Sequence, residues 1–152
     1  MVKTRDSEQL IGGVRDLIVL KTTASAWRDF HTDRHRTLKD TSDRIMATSI
    51  DADWTFNEEA GPEFDEFYAA ITNAILTTFA TKHSLGVQQT LKDMGDAALA
   101  ACDAIDSISF TLPNLHRIPF NFEPFGERFD NDVYVATDEP YGLIKGTVVR
   151  PK

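Results

Sequence analysis

The sequence predicts an α+β domain in which a four-stranded antiparallel sheet carries two helices on one face. Apolar side chains alternate with a period of two in segments near both ends of the chain. A period of three to four residues appears only in two consecutive segments in the middle. The helices therefore come as a pair and do not follow each strand, which argues against a doubly wound fold. The expected order is ββααββ.

Composition sets the broad class. The chain has 152 residues, 41% hydrophobic and 26% charged, which suits one soluble globular domain. A net charge of −8 argues against a nucleic-acid partner, because phosphate binding needs a basic face. The single cysteine, Cys102, excludes an intrachain disulfide. We find no span long enough for a membrane and no secretory signal, so the expected location is cytoplasmic, without a membrane partner.

The first half of the chain predicts two strands. Residues 1–12 are polar and form an expected lead-in, and residues 13–152 form the expected domain. An apolar run from Leu17 to Leu20 predicts a strand within 13–23. Residues 24–42 are irregular and predict a long connection of a kind that is often functional. In residues 43–56 apolar and polar side chains alternate, which predicts a strand. Every second residue would share one face of it: Arg44, Met46, Thr48, Ile50, Ala52, Trp54 and Phe56.

The middle of the chain predicts two helices. Pro62 suits the first turn of a helix whose apolar stripe comprises Phe64, Phe67, Tyr68, Ile71, Ile75 and Phe79. The segment "KHSLG" interrupts this pattern. A second helix is predicted from about Val87 to Asp103, with the stripe Val87, Leu91, Met94, Ala98 and Cys102.

The segment "SISFTLPNLHRIPFNF", residues 107–122, predicts a further strand with an unusual face. Asn114 and His116 lie on its apolar phase, and Pro113, immediately before Asn114, removes a backbone donor. Each buried polar group costs about 1–3 kcal/mol if unpaired, so the two are either satisfied core groups or part of a site. After a polar loop, "VYVAT" and "GLIKGTVVR" predict a last strand pair with a bend at 138–142.

Other candidate residues have both a structural and a functional interpretation. Arg44 is either a cation at the rim or a fork that grips a planar anion. Val87 and Gln88 fall in a predicted first helical turn, where backbone N–H groups are free to bind an acceptor. Trp27 is a surface anchor or a stacking platform. A metal site at His31, Asp33 and His35 is disfavoured, because the segment is irregular.

These residues lie in segments that together resemble one known family. The segments are "LIVLKTTASAWRDF", "RTLKDTSDRIMATSIDADWTF", "HSLGVQQTLKDMG", "ISFTLPNLH" and "YGLIKGTV". In this order they resemble the C-terminal half of urate oxidase, the uricase family, from about residue 13 to residue 150. The resemblance implies a tunnelling fold (T-fold), an antiparallel sheet with two helices on its outer face, whose units assemble into a barrel.

The resemblance implies a substrate site made from four of the candidates. Trp27 stands where the family normally has a phenylalanine that stacks on the purine. Arg44 would grip the carbonyl and ring edge of urate. Val87 and Gln88 would offer a backbone N–H and a side-chain amide to the opposite edge.

Two more candidates take catalytic roles by the same resemblance. Asn114 would hold dioxygen or water above the ring, and His116 would support a proton relay. The implied reaction converts urate, O2 and water to 5-hydroxyisourate and H2O2. It needs no cofactor and no metal, with molecular oxygen as co-substrate.

The resemblance also implies a partner. Family members carry two such domains, and the first supplies a Lys–Thr pair to the relay; Lys3 and Thr4 do not match that motif. We therefore expect a hetero-oligomer with a chain resembling the N-terminal half of a uricase. Two alternatives remain: a non-catalytic, purine-binding scaffold subunit, and a related oxidase for another purine or a pterin, suggested by Trp27.

Overall fold

The computed structural model describes residues 2–4, 7–29, 31–36, 40–137 and 141–151. The strands are β1 (Val2–Thr4), β2 (Ser7–Gln9), β3 (Ile11–Lys21), β4 (Met46–Phe56), β5 (Ile105–Asn114), β6 (Arg117–Pro119), β7 (Tyr134–Ala136) and β8 (Gly142–Val149). The helices are α1 (Phe64–Thr81) and α2 (Val87–Ala101), and a 3-10 turn spans Glu123–Phe125. Within these residues no helix is long and apolar enough to cross a membrane.

One four-stranded sheet organises the molecule. Its strand order is β3-β4-β5-β8, with antiparallel neighbours throughout, and both helices pack on one face. The predicted α+β class and the ββααββ order of this layer are confirmed. Two short hairpins, β1–β2 and β6–β7, stand outside the sheet. In the described part of the chain β3 and β8 each pair on one side only, so the sheet is open.

The core lies between the sheet and the helices, as the alternation predicts. On β5 the buried apolar side chains include Ile108, Phe110 and Leu112, and α1 contributes Ile71 and Ile75 among others. Burying each such side chain stabilises the fold by about 1.5–3 kcal/mol. The opposite phase of β4 and β5 carries Asp and Ser residues and faces away from the helices.

Helix α2 lies directly on the edge strand β8. A Cβ built on Gly95 would come within 2.4 Å of Cγ2 of Val148, so the absence of a side chain permits this approach. A Cβ built on Gly146 would lie 3.2 Å from Leu91, so α2 runs along β8 with its first residues towards the end of the sheet where β5 ends and β8 begins.

The predicted strand over 107–122 is wrong in its second half. The strand β5 ends at Asn114, and Arg117–Pro119 forms a separate strand that pairs with β7. Both strands that pair with β5 end at this point. Strand β8 begins at Gly142, opposite Asn114, and the last hydrogen bond to the β4 strand is donated by the N–H of Leu115 to the carbonyl of Ala47. A strand needs partners for its backbone groups, so the chain turns away to find new ones.

Other boundaries also differ from the predictions. Strand β3 begins at Ile11, and β1 and β2 pair with each other within the segment expected to be a lead-in. Strand β4 begins at Met46, which leaves Arg44 outside it. The strands predicted as a last pair do not pair with each other, because β7 joins β6 and β8 joins β5. Part of the bend predicted at 138–142 lies outside the described residues.

Candidate active site

A cleft of about 660 Å³ opens at the end of the sheet where β4 begins, β5 ends and β8 begins. Side chains that are far apart in sequence line it together. Five of the six residues singled out from the sequence are in its lining: Trp27, Arg44, Gln88, Asn114 and His116.

Trp27 is held in place by backbone hydrogen bonds, although its segment was expected to be irregular. The N–H of Trp27 donates to the carbonyl of Thr41 at 2.8 Å, and the N–H of Thr41 donates back at 3.0 Å. On the other side of the chain, the N–H of Ala26 donates to the carbonyl of Ser84 at 2.7 Å. These bonds fasten the long connection both to itself and to the turn before α2, which fixes the backbone at Trp27.

Arg44 lies beside Trp27 with its guanidinium in a fixed orientation. Its backbone N–H donates to the carbonyl of Ser25 at 2.9 Å, and its Nε donates to the carbonyl of Ala26 at 3.0 Å. The guanidinium carbon is 5.2 Å from the centroid of the Trp27 ring. Burial lowers the pKa of Arg44, yet a guanidinium keeps its proton in proteins. Among the described residues no carboxylate forms an ion pair with it, so the cleft presents a cation to a ligand.

A further cation, Lys21, is buried near the half-buried Arg44 and was not singled out from the sequence. Its Nζ donates to the carbonyl of Lys82 at 2.8 Å and lies 5.4 Å from the centroid of the Phe79 ring. Lys21 pairs in register with Met46, whose sulfur is 3.8 Å from Nη2 of Arg44. Burial, followed by repulsion from Arg44, lowers the pKa of Lys21. The alternation of β3 alone gave no signal of this arrangement.

Helix α2 supplies the next wall of the cleft through its first turn. The helix begins at Val87 after the N-cap Gly86, and the exposed side chain of Gln88 lines the cleft. The side chain of Val87 is buried in the core and is not part of the lining. Any role of Val87 toward a ligand therefore falls to its backbone N–H, which has no acceptor within the helix at this position.

Asn114 and His116 meet at the cleft, but not on one strand as predicted. Asn114 is the last residue of β5, buried between its register partners Thr48 and Gly142. Gly142 carries no side chain and lines the cleft beside it. His116 is half-buried just beyond the strand end, and its carbonyl accepts the N–H of Thr137 at 3.2 Å. The turn after Asn114 keeps both side chains on the cleft.

The far wall of the cleft comes from residues that the sequence analysis did not single out. Strands β6 and β7 and the loop between them contribute Arg117, Phe129, Asn131 and Tyr134. Nη1 of Arg117 donates to the carbonyl of His116 at 2.9 Å. Burial raises the pKa of Tyr134, and the nearby Asp43 carboxylate adds to this shift. The hairpin was missed because one continuous strand was predicted through residue 122.

A second cleft, of about 610 Å³, lies next to the first and shares Trp27 and Gln88 with it. His31 lines this second cleft. Nε2 of His35 accepts a hydrogen bond from Arg34 at 3.1 Å. Across the described ranges, no group of three or more His, Cys, Asp or Glu residues is arranged to hold a metal ion.

The first cleft combines an aromatic face, a guanidinium, side-chain amides and an imidazole. An indole ring suits a flat heterocycle, and a planar guanidinium fork suits a carbonyl or anionic edge. Amide donors at a helix start suit acceptor atoms on the opposite edge. This set of groups fits a planar, polar anion.

Comparison with known proteins identifies relatives over nearly the whole chain. A family model described as Uricase matches residues 10–145. A uricase of Arthrobacter globiformis is 41% identical over 145 residues, covering 95% of this chain and 48% of the relative. A uricase of Dictyostelium discoideum is 30% identical over 151 residues, covering 99% of this chain and 52% of the relative. The chain therefore spans about half the length of these relatives.

Solved structures agree with this result. The crystal structure of the uricase from Arthrobacter globiformis matches with a TM-score of 0.89 and 39% identity, covering 95% of this chain and 50% of the other. A urate oxidase from Bacillus sp. TB-90 matches with a TM-score of 0.76 at 22% identity, covering 93% and 47%, and that likeness concerns the fold alone. The predicted T-fold is thereby confirmed.

Proposed function

The chain belongs to the uricase family, and from this premise we propose that it is a subunit of a cofactor-independent urate oxidase completed by a partner chain. One observation carries the proposal: Trp27, Arg44, Gln88, Asn114 and His116 come from separate parts of the chain and line a single cleft. A protein with only a scaffolding role has no evident need for this complete set.

In the proposed complex the cleft binds urate as a flat anion. The ring stacks on Trp27, and Arg44 grips one edge through the N–H groups not used on the carbonyl of Ala26. The opposite edge faces the start of α2, where Gln88 and the backbone N–H of Val87 donate. Because the guanidinium of Arg44 and the backbone N–H of Val87 are held by the fold before binding, substrate binding has to order fewer groups.

The proposed reaction converts urate, O2 and H2O to 5-hydroxyisourate and H2O2. The urate anion gives two electrons to dioxygen, water adds to the oxidised ring, and two protons end on the peroxide. Asn114 positions dioxygen or water above the ring, and His116 takes part in the proton transfer. The electron-rich ring of urate itself supplies the electrons, so the proposal includes no cofactor and no metal.

The proposal assigns the remaining half of the site to another domain. The chain covers about half of each relative named above. A chain resembling the N-terminal half of a uricase would complete the site and supply the Lys–Thr pair of the proton relay. Among the described residues β3 and β8 have no further strand partner, and such an assembly would use these two sheet edges.

Reconstitution tests this proposal. The chain is purified alone and after co-expression with the part of the Arthrobacter globiformis uricase that it does not match. We expect oxygen uptake with urate from the assembled complex only, and its loss in a His116→Ala complex. Urate oxidation by this chain alone would contradict the need for a partner.

Trp27 motivates a second candidate function, because a larger ring occupies a position where the family resemblance implies phenylalanine. The enzyme would then oxidise another purine or a pterin. A panel of these heterocycles on the assembled complex decides between the two, and a strict preference for urate removes the second. Urate binding by calorimetry without oxygen uptake would instead support a scaffold subunit.

A further inference from the structure

Two buried hydroxyl groups lie behind the cleft and have no part in the proposed chemistry. Oγ1 of Thr90 donates to Oγ of Ser84 at 2.6 Å, and Oγ of Ser84 donates to the carbonyl of Gly86 at 3.1 Å. Oγ1 of Thr90 is also 3.1 Å from that carbonyl. Both residues are buried, so these hydrogen bonds form away from water.

The first end of this pair is fastened to the loop that carries Trp27. The carbonyl of Ser84 accepts the N–H of Ala26 at 2.7 Å, and the N–H of Ser84 donates to the carbonyl of Ala24 at 2.9 Å. Two backbone hydrogen bonds of Ser84 therefore hold the loop immediately before Trp27. A change in the position of Ser84 would move the indole ring.

The second end of the pair is fastened to the start of α2. Gly86 is the N-cap of the helix, and its carbonyl also accepts the N–H of Thr90 at 3.1 Å. Gly86 packs under the indole: a Cβ built there would lie 3.9 Å from the Trp27 ring. The orientation of this N-cap sets the direction of the first-turn N–H groups and of Gln88.

We infer that Thr90 and Ser84 are positioning residues that hold the Trp27 ring and the Gln88 side chain at the spacing a planar substrate needs. This inference rests on the proposed function for the identity of the substrate. Neither hydroxyl touches the substrate, since neither residue lines the cleft. Their effect is on the geometry of binding and not on the oxygen chemistry.

The test replaces the hydroxyl of Thr90 and keeps the side-chain volume. In the assembled complex, Thr90→Val is expected to raise KM for urate roughly five- to tenfold, since one hydrogen bond is lost, with kcat nearly unchanged. Thr90→Ser restores the hydroxyl and is expected to restore KM. If Thr90→Val does not fold, Ser84→Ala is measured in its place. An unchanged KM, or a loss confined to kcat, overturns the inference.

Ser25 provides a matched control. It is as buried as Ser84 and lies on the loop that carries Trp27, but its Oγ has no hydrogen-bond partner among the described residues. Ser25→Ala therefore removes a buried hydroxyl without breaking the pair, and KM is expected to stay at the wild-type value. An equal rise of KM in Ser25→Ala would show a general packing effect and overturn the inference.

Hydrogen exchange on the 152-residue chain separates this inference from the proposed function. Thr90→Val is expected to speed exchange at the N–H groups of Ala26 and Arg28, which donate to Ser84 and Leu85, whereas Ser25→Ala is not. If the wild-type complex does not oxidise urate, the proposed function fails, and faster exchange still supports the positioning role. Unchanged exchange in Thr90→Val overturns that role whatever the substrate.

Discussion

Replacement of Arg44 by alanine removes the guanidinium that faces the cleft beside Trp27. The side chain is half-buried, its Nε is fixed by the carbonyl of Ala26 at 3.0 Å, and no carboxylate in the described part of the chain forms an ion pair with it. A bound urate anion would supply the opposite charge. We therefore expect the substitution to act on urate affinity above all.

The size of the effect follows from the burial of Arg44. Truncating one partner of a buried, hydrogen-bonded charge pair costs about 2–5 kcal/mol. Because the guanidinium keeps some contact with solvent, the lower part of this range applies, about 2–3 kcal/mol or roughly 30- to 160-fold in Kd. Arg44→Lys keeps the charge but loses the planar fork, so an intermediate loss is expected.

The assay is calorimetric titration of the assembled complex with urate in the absence of oxygen, followed by oxygen uptake. Arg15→Ala is the matched control, because it removes the same charge from an exposed site paired with Asp53; its Kd should equal that of the wild type. Thermal unfolding verifies that Arg44→Ala is folded, since the loss of the bond to Ala26 also loosens the Trp27 loop. A folded Arg44→Ala complex with unchanged Kd would refute the assigned role.

The remaining predictions concern oxygen chemistry, packing and pH. Asn114→Ala is expected to lower kcat for urate about 100-fold with little change in Kd, and a loss in Kd alone would contradict the oxygen-positioning role. Gly95→Ala is expected to lower the free energy of unfolding, measured in urea, by about 1–2 kcal/mol, because the clash with Val148 costs more than the gain in helix propensity. Equal or higher stability would show that β8 shifts to accommodate the added methyl group. The pKa of Lys21 is lowered below its ordinary 10.5 by burial, so the unfolded chain binds the proton more tightly than the folded one. The free energy of unfolding of the wild type, measured against that of Lys21→Met, should therefore increase as the pH rises from the lowered pKa towards 10.5. A difference between the two proteins that does not vary with pH would contradict this.

The helices and the main strands could be predicted because their signals are local. The stripe that includes Ile71 and Ile75 has the period of a helix, and the alternation of Ile108, Phe110 and Leu112 has the period of a strand buried on one face. The end of β5 could not be predicted in the same way. Alternation continues beyond Asn114, but a strand ends where its neighbours end, and the limits of β4 and β8 depend on how the sheet assembles.

The candidate site was predicted unevenly for the same reason. Arg44, Gln88 and Asn114 could be predicted as site residues, because they lie in short motifs that resemble those of the family. The hairpin wall that includes Arg117 lines the cleft, and Lys21 is buried near Arg44 without lining it. Neither carries a local signal, because both placements come from contacts across the fold.

The amino-acid sequence by itself determined the layer order, the core faces and the identity of the groups available to a ligand, since side-chain period and residue chemistry are properties of short segments. Only the tertiary structure decided that these groups share one cleft, and that a buried hydroxyl pair joins the Trp27 loop to the start of α2. Convergence of this kind depends on packing between segments that are distant in the chain, and no local pattern encodes those distances.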